Sequence, residues 1–330
     1  GMAGVQLARQ LGIPHFHTPH SIGAWKRDNM DGDADENEAK YNFRTRIREE
    51  KLIYDESNLV IATTPAQRDI LRGNDYDTPA EKISVIPPGY DDRRFFPVSR
   101  GTRRALKSEL DLEGRIVLAL GRIANNKGYD LLIRAMPPVF SRVPDARLLL
   151  AIGSTDPSPQ ERESVEKLRN IARELGIEDR VLFRDYIPDQ WLPDYYRAAD
   201  VFALSSRYEP FGMTAVEAMA CGTPTVITTE GGLWEQVVWG GEAVYANPFD
   251  CEAYGHAIAA VLQHREVADR LAKFGSQKAR ARFTWTGIAQ QLLRLLDSDQ
   301  VSGDSPLLGS TEDDEDEDPA EEMWKSQACL

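Results

Sequence analysis

SSRYEPFGMTAVEAMACGTPTV, residues 205–226, reads as a strand that passes through a tight turn into a short helix. Glu209 and Glu217 stand eight positions apart in it, one on the entry loop and one about a turn into the helix. Two carboxylates so placed can grip hydroxyl groups at opposite ends of one elongated ligand. Between them Phe211, Gly212, Met213 and Thr214 present backbone N–H groups at a helix start, a natural seat for phosphate. Sugar, diphosphate and ribose in a row is the shape of a nucleotide-sugar. The plainer alternative is a surface helix with two solvated glutamates; Gly212, Gly222 and the EPFG turn, all in register, weigh against it.

Outward from this stretch the pattern repeats. Apolar runs at 115–120, 147–152, 180–183, 201–204 and 225–228 alternate with amphipathic stretches at 129–142, 161–175 and 195–199, and helices return from Cys251 onward. Short continuous apolar strands between amphipathic helices predict a parallel sheet covered on both faces, an α/β fold. Ligands of such sheets bind beyond the carboxyl ends of the strands, where Gly121-Arg122, Gly153-Ser154 and residues 205–212 lie. Arg122 and Lys127, five apart in GRIANNKG, can converge on a diphosphate and stabilise it as a leaving group without a metal. The alternative is a loop with ordinary surface cations. The loop matches neither the Walker nor the GxGxxG spacing.

The first 95 residues use the same alphabet with fewer letters. A helix at 2–11, a strand at 13–18, a charged helix at about 38–54 and strands at 59–62 and 83–86 precede Pro87-Pro88-Gly89. That break and residues 95–103 read as a linker. Three strands in about 90 residues, with a helix at the first residue, predict that the front of this domain lies upstream of Gly1. His15 and His17 alternate on a strand beside Phe16, which suits packing or local bonding better than a metal. His20 and Ser21 stand at the strand's exit, followed by Gly23, read as flexible, and Lys26. Asp31-Gly32-Asp33 lies in a polar loop and reads as solvated acid. Lys26 with Arg44 and Arg46 could hold a phosphate monoester, or the arginines could pair with Glu49 and Glu50; residue types alone leave this open. The domains are therefore expected at 1–95 and 96–283, with a crossover helix at 284–298 and a disordered acidic tail at 299–330.

Of the net charge of −14, a local −10 (eleven acids, one lysine) falls in residues 299–330, and −4 remains for the rest. The acidic run 311–322 is solvated by composition. No basic cluster suggests nucleic acid, no apolar run approaches the ~20 residues of a membrane span, and no protein partner is legible. Three distant cysteines suit a reducing, cytoplasmic setting, and they lack zinc-ligand spacing.

EPFGMTAVEAMACGTPTV resembles the paired-glutamate motif of retaining glycosyltransferases with two Rossmann-like domains (GT-B), and GRIANNKGYD resembles their Arg-x4-Lys loop. HTPHSIGAWK and FRTRIREE are similar to the sucrose-phosphate synthase type. SSRYEPFGMTAVEAMA, ANPFD and KARARFTWTGIAQQLL look closest to its mannosylfructose-phosphate branch. The resemblance covers residues 1–297. It implies Arg122 and Lys127 at the donor diphosphate, Glu209 at the donor sugar, Glu217 at the ribose and His20 at the sugar C6 hydroxyl. Ser21, Lys26, Arg44 and Arg46 would bind the phosphate of the acceptor, fructose 6-phosphate. It further implies GDP-mannose as donor, with UDP-glucose as the alternative, and no required cofactor or bound metal, stimulation by Mg2+ being left open. A non-catalytic nucleotide-binding fragment is the rival from another class.

Overall fold

A computed structural model describes residues 1–30 and 32–297; Asp31 and the expected acidic tail lie outside that range. The first sheet holds α1 (Met2–Leu11), β1 (Phe16–His17), α2 (Gly23–Asp28), α3 (Ala34–Tyr41), α4 (Phe43–Glu56), β2 (Leu59–Ala62), α5 (Pro65–Arg72) and β3 (Ile83–Val85). Its strands run parallel in the order β1-β2-β3. Side chains of a strand alternate between faces, and β2 uses both. Val60 and Ala62 pack with Ile22, Phe43, Ile47 and Tyr54, whereas Leu59 and Ile61 meet Ile86 and Ile288.

Three expectations for this half need correction. The strand at 13–18 shrinks to two residues. The helix at 38–54 is two helices broken at Asn42, whose φ of 50° is a left-handed conformation that asparagine tolerates. The loop around Lys26 is helical, and Gly23 is no flexible hinge: it is buried and donates its N–H to Glu50 Oε2 at 2.8 Å. Asp33 is exposed, and its Oδ1 also caps α3 by accepting from the Asp35 and Glu36 amides.

The second sheet holds α6 (Arg100–Glu109), β4 (Arg115–Gly121), α7 (Tyr129–Arg142), β5 (Ala146–Ile152), α8 (Pro159–Glu174), β6 (Val181–Arg184), α9 (Leu192–Ala198), β7 (Val201–Leu204), α10 (Met213–Ala220), β8 (Thr225–Thr228), β9 (Val244–Ala246), α11 (Cys251–Gln263) and α12 (Arg265–Arg282). All six strands are parallel, in the order β6-β5-β4-β7-β8-β9. Both faces are covered: Leu118 and Phe202 lie under α9 and α10, and Val117 and Leu148 under α7 and α11. The chain moves outward one way through β5 and β6, then returns beside β4 with β7 and moves out the other way. The reversal between β4 and β7 opens a crevice there, where such sheets hold ligands.

Helix α13 (Trp285–Leu296) crosses back to the first sheet and lays Ile288, Leu292 and Leu295 on β2. Its entry is fixed by Tyr90, whose N–H donates to Phe283 O and whose carbonyl accepts from Trp285 N.

Candidate functional site

The loops that leave β4 and β7 are stitched to each other. The Arg207 amide donates to Asn126 O at 2.8 Å, Asn126 Nδ2 to Tyr208 O at 3.1 Å, and Ser205 Oγ to Gly128 O at 3.0 Å. Arg207 also forks onto both Asp130 oxygens at 2.7 and 2.6 Å, a geometry that adds direction to charge. The result is an ion pair between Lys127 Nζ and Glu209 Oε2 at 2.6 Å, with side chains only 18% and 11% exposed. Ser206 Oγ donates to the same carboxylate. The backbone of Glu209 is pinned on both sides, its N–H to Glu230 O and its carbonyl to Gly232 N. Lys127 and Glu209, far apart in sequence, are thus held as one piece.

That pair forms part of the wall of a cavity of about 810 Å3 between the two sheets. His20, Ser21, Lys26, Asn29 and Tyr41 line it from the first sheet; Arg122, Asn126, Arg207, Tyr208, Glu230 and Phe249 line it from the second. Lys26 Nζ stands 4.3 Å over the Tyr41 ring. An adjoining cavity of about 260 Å3 shares His20, Lys127, Glu209 and Pro210 and continues over Phe211, Gly212, Met213 and Thr214. There α10 begins after Gly212 (φ 113°) with no side-chain cap; the Ala215 amide donates to Gly212 O at 3.0 Å, and the Met213 and Thr214 amides have no intrahelical acceptor. Arg122, Lys127 and the Met213 stretch therefore face connected space, an arrangement able to hold an anion beside sugar hydroxyls. A separate depression of about 580 Å3 near Trp191 shares no residue with either.

Other residues singled out in the sequence sit elsewhere. Arg44 is exposed and lines neither cavity. Arg46 is engaged: Nε meets Glu50 Oε1 at 2.7 Å, and Nη2 donates to Ser21 O at 2.6 Å and to Ser21 Oγ at 3.1 Å. Of the two readings left open for it, the pairing with Glu50 is the one seen; Arg46 itself lines neither cavity and reaches the larger one only through Ser21. Arg48 pairs with Glu49. Ser154 turns to Glu161 and lines neither cavity. His15 Nδ1 lies 3.0 Å from Ser57 Oγ, and the His17 ring packs against Tyr54. The sequence reading missed Asn126, Arg207, Tyr208, Glu230 and Phe249. Four of these sit within quoted motifs, and only the fold shows that their loops meet.

Glu217 also lines neither cavity; its carboxylate accepts from Tyr196 Oη at 2.8 Å. Burial pushes its carboxyl above the ordinary range, against the Tyr196 hydrogen bond that lowers it. With its folded pKa raised, this group stabilises the fold at low pH and loses that contribution as pH rises through the raised value. Glu217→Gln, which keeps an acceptor for Tyr196, is therefore expected to melt at or above wild type at pH 7. The gap should close towards about pH 4, the unperturbed carboxylate range. A variant melting several degrees lower at pH 7 would show that the ionised group is needed.

Comparison with known proteins agrees with this architecture. The sequence profile of "Glycosyl transferases group 1" matches residues 103–278, and that of "Glycosyltransferase Family 4" matches residues 1–94. Mannosylfructose-phosphate synthase of Agrobacterium fabrum is 50% identical over 90% of this chain, which spans 66% of that relative's length. D-inositol 3-phosphate glycosyltransferase of Corynebacterium glutamicum is 33% identical over 89% of this chain and 69% of its own. Among solved structures, sucrose-phosphate synthase from Thermosynechococcus elongatus superposes with a TM-score of 0.76 at 32% identity, over 90% of this chain and 70% of that one. The two parallel sheets are those of the GT-B fold. Among the described residues no helix is long and apolar enough to cross a membrane. On the profile matches and these identities, the chain belongs to the group 1 glycosyltransferases.

Proposed function

We propose that the protein is a retaining hexosyltransferase that moves mannose from GDP-mannose to fructose 6-phosphate, giving mannosylfructose phosphate. The observation that carries this reading is the Lys127–Glu209 pair at the β4/β7 reversal, in a cavity that also receives Lys26 and Ser21 from the first sheet. A cation and a carboxylate side by side match a donor whose diphosphate and sugar are joined at the bond to be broken. Across the cavity, Ser21, Lys26 and the Glu50-held Arg46 suit the acceptor phosphate. The three relatives named above have a phosphorylated sugar or polyol in their names, which supports that class of acceptor.

In this scheme the bond from the anomeric carbon to the phosphate oxygen breaks, and the acceptor hydroxyl oxygen bonds to that carbon from the same face. The hydroxyl proton passes to the departing diphosphate, so no strong protein base is needed. Arg122 and Lys127 offset the developing charge, and His20, where the two cavities join, faces the transferred sugar. Glu217, one turn into α10, is assigned the ribose. Catalysis then rests on preorganised charge and orientation. Fixed cations can serve without an obligatory cofactor, and Mg2+ is expected at most to stimulate. Transfer takes place in the cytoplasm in this reading.

A second donor stays in view because sucrose-phosphate synthase is a structural neighbour, and because HepE of Anabaena, solved with UDP-glucose, superposes at a TM-score of 0.70 with 25% identity. Initial rates with GDP-mannose and UDP-glucose, each against fructose 6-phosphate, are expected to favour GDP-mannose by at least about tenfold. Faster turnover of UDP-glucose would reassign the donor. Nucleotide binding without transfer from either would leave a binding protein.

A further inference from the structure

Tyr208 carries a hydroxyl that the fold does not use. It lines the larger cavity, yet its Oη is buried with no hydrogen-bond partner. Its backbone is fixed, the carbonyl by Asn126 Nδ2 and the next amide by Glu230 O. Its ring meets Trp25 of α2 edge-on, with centroids 4.9 Å apart at 81°. Tyr208 is thereby a bridge from the loop that carries Glu209 to the helix that carries Lys26. The charged groups acting on the phenol are Glu209 and Arg46, and Arg46 is the residue bonded to Ser21 at the cavity wall.

A phenylalanine would make the same edge contact without burying a lone hydroxyl, and a buried polar group left unbonded is destabilising. Packing therefore does not account for the oxygen. We infer that Tyr208 is an acceptor-reading residue: a small tilt of its side chain about Cα–Cβ brings Oη onto a phosphate oxygen of the acceptor held by Ser21 and Lys26, with Arg46 behind Ser21. This rests on the phosphate-bearing acceptor proposed above. It adds a donor from the second sheet to an acceptor site otherwise built from the first, so the acceptor is gripped from both sides. The Trp25 contact sets the position from which the phenol tilts.

The test is Tyr208→Phe in the full-length protein, read by melting temperature and by both Michaelis constants. Without added substrate the variant is expected to melt at or above wild type, since only an unbonded hydroxyl is lost. With fructose 6-phosphate its acceptor KM should rise about tenfold, the worth of one good hydrogen bond, while the donor KM stays within about twofold. An unchanged acceptor KM overturns the inference, and so does a melting temperature several degrees lower, which would reveal a structural partner. If wild type transfers to D-inositol 3-phosphate instead, the same comparison is made there, and only the choice of fructose 6-phosphate falls. If it uses neither, the proposed acceptor fails. Stabilisation by inorganic phosphate then decides Tyr208: weaker in the variant supports the inference, equal in both overturns it.

Discussion

Lys127→Ala is expected to lower turnover by roughly 10²–10³, the range for losing one preorganised group at a developing anion. Two effects combine. The ammonium that would meet the leaving diphosphate is gone, and Glu209, buried to 8% exposure, keeps a carboxylate whose cation has left. An uncompensated buried charge is costly, and here it would also repel the donor. The donor KM should therefore rise along with the fall in turnover. Adding Glu209→Gln to Lys127→Ala removes that repulsion, so the double variant is expected to bind the nucleoside diphosphate better than Lys127→Ala alone. Non-additivity of this kind is normal for groups in direct contact. Near-wild-type turnover in the single variant would remove Lys127 from the diphosphate.

Five of the six strands of the second sheet, β4 to β8, were legible as short apolar runs, three of them (β4, β5 and β7) closed by glycine or serine, and its helices are amphipathic. The helix at 129–142 agrees with α7 at both ends, even though Pro137 and Pro138 fall within it. The first sheet was harder for identifiable reasons. Helix α2 opens with Gly23 and is held by Glu50 and by Tyr76, whose hydroxyl is bonded to the Ala24 amide; no local propensity signals it. Asn42 divides α3 from α4 through a left-handed residue, which periodicity alone does not see. Strand β9 is three residues long and takes its register from β8. At the site, the motifs gave Lys127 and Glu209 but not their pairing, because spacing along the chain says nothing about which strands become neighbours. The same blindness hid Arg207 and Tyr208: their loop meets residues 125–128 only once β7 lies beside β4.

Gly128→Ala should damage stability and chemistry together. Gly128 has a φ of 62°, and a Cβ built there would stand 2.1 Å from the Ser205 carbonyl oxygen, a distance no packing tolerates. The left-handed backbone alone costs an L-residue about 1–2 kcal/mol, and forcing apart two packed segments adds about 1–3 kcal/mol. The shift has nowhere harmless to go, because Ser205 and Arg207 bind the loop on one side while α7 starts on the other. Lys127, the adjacent residue, must move with it, and a displacement of about 1 Å at a positioned catalytic group can cost of order 10²-fold in rate. Gly176→Ala is the matched control. It has the same left-handed φ, 65°, with nothing within 4 Å of its Cβ position, so it carries the backbone strain without the collision. The expected result is a melting-temperature drop at least twice as large for Gly128→Ala as for Gly176→Ala, with turnover lost in the first and kept in the second. Equal drops and equal turnover would mean that the loops after β4 and β7 are not the rigid unit that holds Lys127 against Glu209.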